Sequence, residues 1–312
     1  MQVTRKPIVV VGSVTMDMVT LTPRIPRTGE TVIGTGFGTT PGGKGANQAV
    51  AAARLGYPTL MVGNVGSDVY GPVLLDNLAQ AGVETKAMEK VDGPSGLAPI
   101  FLSEAGDNAI VVVPGANGKV DLAFVDRHAA LIRSAGMVLC QLELPIETVS
   151  YVIALCAEAN VPVMLDPAPA APLPESIWSQ VAWFTPNETE AAFYLGETLS
   201  TEDGAKHLLA RGLKGVVLKR GSEGSYVAVA GGKAAWVPAF KVEAIDTVGA
   251  GDCFNGAFAV ALLEAAERHL ESEAPWAAAL FASAAAAISV TRRGAQASMP
   301  SRAEVDAFLV QN

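Results

Sequence analysis

Short apolar runs rich in Val, Ile and Leu alternate along the chain with longer stretches whose apolar positions recur at helical spacing. Runs at 8–11, 137–142, 161–165, 182–185 and 215–218 are predicted as strands. Helices are predicted at 46–55, 73–81, 146–159 and 188–195, with a further helical stretch over 253–268. Strands alternating with helices are the pattern of a mostly parallel sheet flanked by helices. The expected fold is therefore α/β, one doubly wound domain over residues 1–312. Two stretches depart from this pattern. Residues 16–39 and 96–113 are strand-like, rich in Thr, Val, Ile and Gly, and contain no helix. They either pair as a small separate sheet that acts as a lid or form edge strands of the main sheet.

Half of the 312 residues are apolar, enough for a sizeable core. No apolar run reaches membrane-spanning length without Gly, Pro or a charge, and no signal peptide is read, so no membrane is expected as a partner. Cys140, Cys156 and Cys253 stand far apart in apolar contexts and lack metal-ligand spacing. Buried reduced thiols and a cytoplasmic location follow. A net charge of −9 argues against nucleic acid. It is neutral about ATP, whose site needs only local donors and one or two cations.

In open parallel sheets ligands bind beyond the carboxyl ends of the strands. Here those ends lead to Glu143, Asp166, Asn187 and Lys219-Arg220-Gly221. The strongest local feature is Asp246-Thr247-Val248-Gly249-Ala250-Gly251-Asp252, which runs into a helix. Small residues there bring bare backbone N–H groups to a phosphate, at the helix end that favours negative charge. Asp252 is either a catalytic group at that site or an ordinary N-cap. In Pro41-Gly42-Gly43-Lys44-Gly45-Ala46-Asn47 the P-loop pattern fails, because Gly45 replaces the magnesium-binding Ser or Thr. Asn47 is either a donor and acceptor for sugar hydroxyls or a polar residue in a first helical turn. If 12–18 stays extended, a period of two puts Thr15 and Asp17 on one face and Met16 and Met18 on the other. Asn187 and Glu190 lie one helical turn apart and either hold water around magnesium or form a capping pair.

Three ordered segments, 42–47, 185–190 and 246–252, identify the chain as similar to the ribokinase family of sugar kinases over essentially its whole length. The resemblance implies an α/β domain with a β lid that also makes a homodimer contact. It implies ATP-dependent phosphorylation of the primary hydroxyl of a pentose, D-ribose foremost. 2-Deoxyribose, another sugar and a nucleoside are the rival acceptors, and a non-catalytic sugar- or nucleotide-binding regulator is the rival outside enzymes. By position, Thr15, Asp17, Gly43, Lys44, Asn47 and Glu143 would bind the sugar and Asp252 would take the proton of its hydroxyl. Gly249, Ala250 and Gly251 would stabilise the transferring phosphoryl group. Asn187, Lys219, Arg220, Gly221, Gly224 and Gly251 would line the nucleotide, with Ser283 near the base. Asn187 and Glu190 would serve Mg2+ through water. Asp246, Val248, Ser289, Arg292, Gly294 and Ser298 match positions around a K+ ion, several through carbonyls. The chain departs from the family in two places: Thr15 stands where Asn is usual, and Lys219-Arg220-Gly221 where Thr-Leu-Gly is common.

Overall fold

The apolar runs pair into two sheets in the computed structural model, which describes residues 5–270 and 273–312. The strands are β1 (Ile8–Val11), β2 (Thr15–Thr22), β3 (Gly36–Gly42), β4 (Thr59–Gly66), β5 (Glu84–Val91), β6 (Gly96–Ser103), β7 (Asn108–Ile110), β8 (Met137–Cys140), β9 (Val163–Leu165), β10 (Trp183–Phe184), β11 (Gly215–Lys219), β12 (Ser225–Val229) and β13 (Ala234–Val237). The main sheet has the order β13-β12-β11-β10-β9-β8-β1-β4-β5. It is parallel from β5 to β11 and closes with the antiparallel pair β12 and β13. The apolar pattern of the sequence does not single out β4, β5, β12 or β13. β4 is buried along its full length, so its Thr, Asn and Gly positions disguise a central strand.

Among the described residues ten α-helices connect and cover the strands: α1 (Lys44–Arg54), α2 (Tyr70–Gln80), α3 (Leu122–Arg133), α4 (Ile146–Glu158), α5 (Glu188–Leu195), α6 (Thr201–Ala210), α7 (Ala250–Glu267), α8 (Ala274–Val290), α9 (Ala295–Ser298) and α10 (Arg302–Gln311). Along β1, Ile8 and Val10 face a core built with α1, α7 and α8, while Val9 and Val11 face a second core built with α3 and α4. That alternation is the period of two acting on a strand buried on both faces. None of the described helices is long and apolar enough to cross a membrane.

The two exceptional stretches form a separate four-stranded sheet of order β3-β2-β6-β7. β2 pairs antiparallel with β3 and parallel with β6, and β6 antiparallel with β7. The edge-strand alternative is thereby excluded. The strand bounds differ from 16–39, because β3 runs on to Gly42 and feeds straight into α1.

Candidate active site

The chain passes from β1 through the small sheet to β4 and β5 on one side, then returns to β8 on the other. β1 and β8 therefore flank a switch point, where two loops part and leave a crevice. The end of β1 and the start of α1 touch across this crevice. Gly43 has φ +91, and a Cβ there would come within 2.8 Å of Thr15 N. Only glycine supplies both the left-handed backbone and the space.

Asp252 sits in the first turn of α7, inside the helix. The helix begins at Ala250 rather than at the expected residue 253, and its cap is Gly249 with φ +77. Asp252 is thus not an N-cap. Its Oδ2 accepts a hydrogen bond from Asn47 Nδ2 at 2.9 Å and its Oδ1 one from Gln48 Nε2 at 3.1 Å. The side chain is buried, and burial pushes its pKa up. Lys44, Asn47 and Gln48 oppose that shift, while Asp166 adds to it. A buried carboxylate with a raised pKa and two amide donors is the environment of a tuned base.

On the β2 side Thr15 and Asp17 share a face, as the alternation predicts, and Thr15 Oγ1 donates to Asp17 Oδ1 at 2.9 Å. Burial raises the Asp17 carboxyl to about 6, with Thr15 opposing and Glu143 and Asp252 adding to the rise. The carboxylate lies over Gly42, where a Cβ would come within 2.3 Å of Oδ2. Glu143 Oε2 accepts from Lys44 N at 3.0 Å and from the Ser13 hydroxyl. Burial alone would lower the pKa of Lys44, but Asp252, Asp166, Glu143 and Glu190 outweigh it and raise it.

The opposite wall carries Lys219, whose Nζ donates to Asp166 Oδ1 at 3.0 Å. The same ammonium faces the glycine-led turn, since a Cβ on Gly251 would lie 3.6 Å from it. Asn187 and Glu190 form a capping box at the start of α5: Asn187 Oδ1 accepts from Glu190 N, and Glu190 Oε2 accepts from Asn187 N. The pair therefore caps α5. Burial raises the Glu190 carboxyl, Lys219 and Lys44 lower it, and Asp166 raises it, so a cation near this wall would favour its ionised form. Among the described residues no three His, Cys, Asp or Glu side chains converge as a metal cage. The wall fits an ion held largely by water and phosphate.

Arg220, expected along the nucleotide, makes ion pairs in this structure. Its guanidinium pairs with Glu188 and Glu223, both at the surface. Gly221 and Gly224 adopt positive φ around that turn, and Ser283 is buried in α8. At the expected K+ positions, the Asp246 carboxylate bridges two loops, accepting from Val248 N at 3.0 Å and Gly294 N at 2.8 Å. Ser289 and Ser298 donate to their own helices at Ala286 O and Ala295 O, and Arg292 pairs with Glu304. These three side chains are committed elsewhere, which leaves backbone carbonyls as the ligands such an ion would find. Two cavities, ≈ 330 Å³ beside α5 and α6 and ≈ 350 Å³ beside α1 and α2, lie outside the Asp252 crevice.

Sequence reading gave no role to Ser13, Gln48, Gln141 or Gln296, and noted Asp166 only as a strand end. Amides and a serine belong to no motif on their own. The available signal was the neighbouring Asn47-Gln48 pair opposite Gln141 at the end of β8.

Fold and site together define a ribokinase-like α/β kinase. The model of the pfkB family carbohydrate kinases matches residues 5–302, and the chain belongs to that family. It is 45% identical over 307 residues to a ribokinase of Bacillus subtilis (strain 168), covering 97% of this chain and 99% of that one. A deoxyribokinase of Salmonella typhi is 36% identical over 311 residues, covering 98% and 99%. The structure of Arabidopsis thaliana ribokinase complexed with ribose and ATP superposes with a TM-score of 0.90 at 35% identity, covering 98% of this chain and 99% of that one.

Proposed function

We propose that this carbohydrate kinase transfers the γ-phosphoryl group of ATP to the primary hydroxyl of D-ribose, yielding ribose 5-phosphate and ADP. The observation that carries the reading is Asp252, a buried carboxylate at a glycine-led helix start. Sugar-facing groups lie on one side of it and Lys219 on the other. Relatives named ribokinase and a neighbour complexed with ribose and ATP support it.

Asp252 accepts the proton as the sugar oxygen bonds to the γ-phosphorus, and the bond from that phosphorus to the β–γ bridging oxygen breaks. Backbone N–H groups of 249–252 face the charge on the transferring group, with Lys219 beside them. The side-chain cation takes the place of the hydroxyl that Thr commonly supplies at this position. Magnesium supplies neutralisation of the phosphate charge. Asn187 and Glu190 would hold it through water, and Gly221 and Gly224 would let the nucleotide approach the backbone. Asp17, Gly43, Lys44, Asn47 and Glu143 bind the sugar, and the small sheet closes over it to exclude water. The buried thiols Cys140, Cys156 and Cys253 support a cytoplasmic enzyme.

Deoxyribose is the rival acceptor, because Thr15 spends its hydroxyl on Asp17 rather than on the sugar. Asp17 favours ribose all the same. A carboxylate facing the C2 and C3 hydroxyls would lose a partner with the deoxy sugar, and an unsatisfied buried polar group costs about 1–3 kcal/mol. Steady-state kinetics decide both points. kcat/KM for ribose exceeds that for deoxyribose, and Asp252→Asn lowers kcat by at least about a hundredfold while ATP binding is kept. A preference for deoxyribose overturns the sugar assignment, and full turnover by Asp252→Asn overturns the mechanism.

A further inference from the structure

Each oxygen of Asp252 is held by one amide, and each of those amides is itself fixed by another. Gln48 Nε2 reaches Asp252 Oδ1 at 3.1 Å and Asp166 Oδ2 at 3.0 Å, while Gln48 Oε1 accepts from Gln141 Nε2 at 2.7 Å. Asn47 Oδ1 accepts from Gln296 Nε2 at 3.0 Å, which turns Asn47 Nδ2 toward Asp252 Oδ2. Gln296 Oε1 is held in turn by Asn77 Nδ2. Gln48 and Gln141 are both 1% exposed, so water does not substitute for these donors. An amide between two carboxylates has one favourable orientation, nitrogen toward both. Gln141 enforces it by donating to the oxygen.

We propose that Gln48 is a positioning residue for phosphoryl transfer: its single amide nitrogen, shared by Asp166 and Asp252, aims the base and ties it to the Lys219 wall. The tie is a continuous chain, Lys219 Nζ to Asp166 Oδ1, Asp166 Oδ2 to Gln48 Nε2, and Gln48 Nε2 to Asp252 Oδ1. A phosphate drawing on Lys219 is thereby linked to the orientation of the carboxylate that receives the sugar proton. This rests on the reading of Asp252 as the base.

The chain also acts on protonation. Charged and titratable groups around Asp252 are Lys44 on α1, Asp17 on β2, Glu143 after β8, Asp166 after β9, Glu190 on α5, Lys219 on β11 and the adjacent Cys253. In that mostly acidic company an amide donor favours the ionised base. Removing it raises the pKa of Asp252, and the acid limb of the rate profile moves to higher pH.

The test uses Gln48→Leu and the near-isosteric Gln48→Glu, whose single acid proton can serve only one of the two carboxylates. The expected result is a fall in kcat of about tenfold or more, KM for ribose changed by less than about twofold, and an acid limb shifted upward. In an Asp252→Asn background Gln48→Glu costs nothing further, because Gln48 acts through that carboxylate. An unchanged kcat and pH limb, or an equal loss in both backgrounds, overturns the proposal. If Gln48→Leu does not fold, Gln48→Glu carries the test alone. Full turnover by Asp252→Asn itself would instead remove the base reading, so the two failures are separable.

Discussion

Asp17 shows at the scale of one residue how the site trades stability for binding. Its carboxyl titrates at about 6, well above its ordinary 3.8, with burial the largest cause. A carboxyl whose folded pKa is raised weakens the fold where it is ionised, above pH about 6. The penalty fades as pH falls from there toward the unfolded value. Asp17→Asn keeps an acceptor for the Thr15 hydroxyl and carries no buried charge. It is expected to raise Tm at neutral pH, to lose that advantage as the medium is acidified toward pH 3.8, and to raise KM for ribose by roughly tenfold. Thermal melts across pH alongside sugar kinetics check both halves. A variant less stable than the parent at neutral pH contradicts the argument. In the unsubstituted chain KM for ribose rises below pH about 6, as Asp17 takes up its proton.

Elements come together through short junctions, and the turn before α7 illustrates how. Gly249 leaves room for Ala295, and Asp246 fastens the turn to Gly294, so the loops of 246–248 and 290–294 are joined. An ion bound by their carbonyls would stiffen the glycine-led turn that meets the phosphates. Activity is expected to be higher in potassium than in sodium at matched ionic strength. Equal rates in potassium, sodium and a bulky organic cation would contradict an ion site there. Much at this scale was legible beforehand. α5 was predicted at the bounds it has, and the small sheet was signalled by two helix-free, strand-like stretches. The start of α7 was misplaced because Ala250 and Gly251 look like loop, although their N–H groups lie in the helix's first turn. β12 and β13, five and four residues long at the sheet's end, are too short to stand out in the apolar pattern. The amide network of Asn47, Gln48, Gln141 and Gln296 depends on contacts such as that from Gln296 to Asn47, 249 positions apart, and no local pattern records those.

Taken whole, the molecule leaves the outer part of one face of its small sheet without cover. Asp17, Val19 and Leu21 alternate onto the same side of β2, and their cross-strand partners Ala98, Ile100 and Leu102 extend that side across β6. Near the crevice the face holds the Asp17 carboxylate; farther out Leu21 is 43% exposed and Ile110, paired with Ile100, is 52% exposed. An apolar surface of this kind is suited to a second copy of the chain. A homodimer is expected at micromolar concentration, and Leu21→Glu is expected to convert it to a monomer, as read by light scattering. A monomeric parent protein would contradict this. The sheet order has a consequence for how the chain is made. β1 is made before β4 and β8, yet it belongs between them, and the core on its inner face is built with α1, α7 and α8. Ile8 and Val10 gain α1 early, but the core they share closes only with residues more than two hundred positions later. A fragment that ends before α7 therefore leaves part of this apolar core open and is expected to aggregate where the whole chain does not.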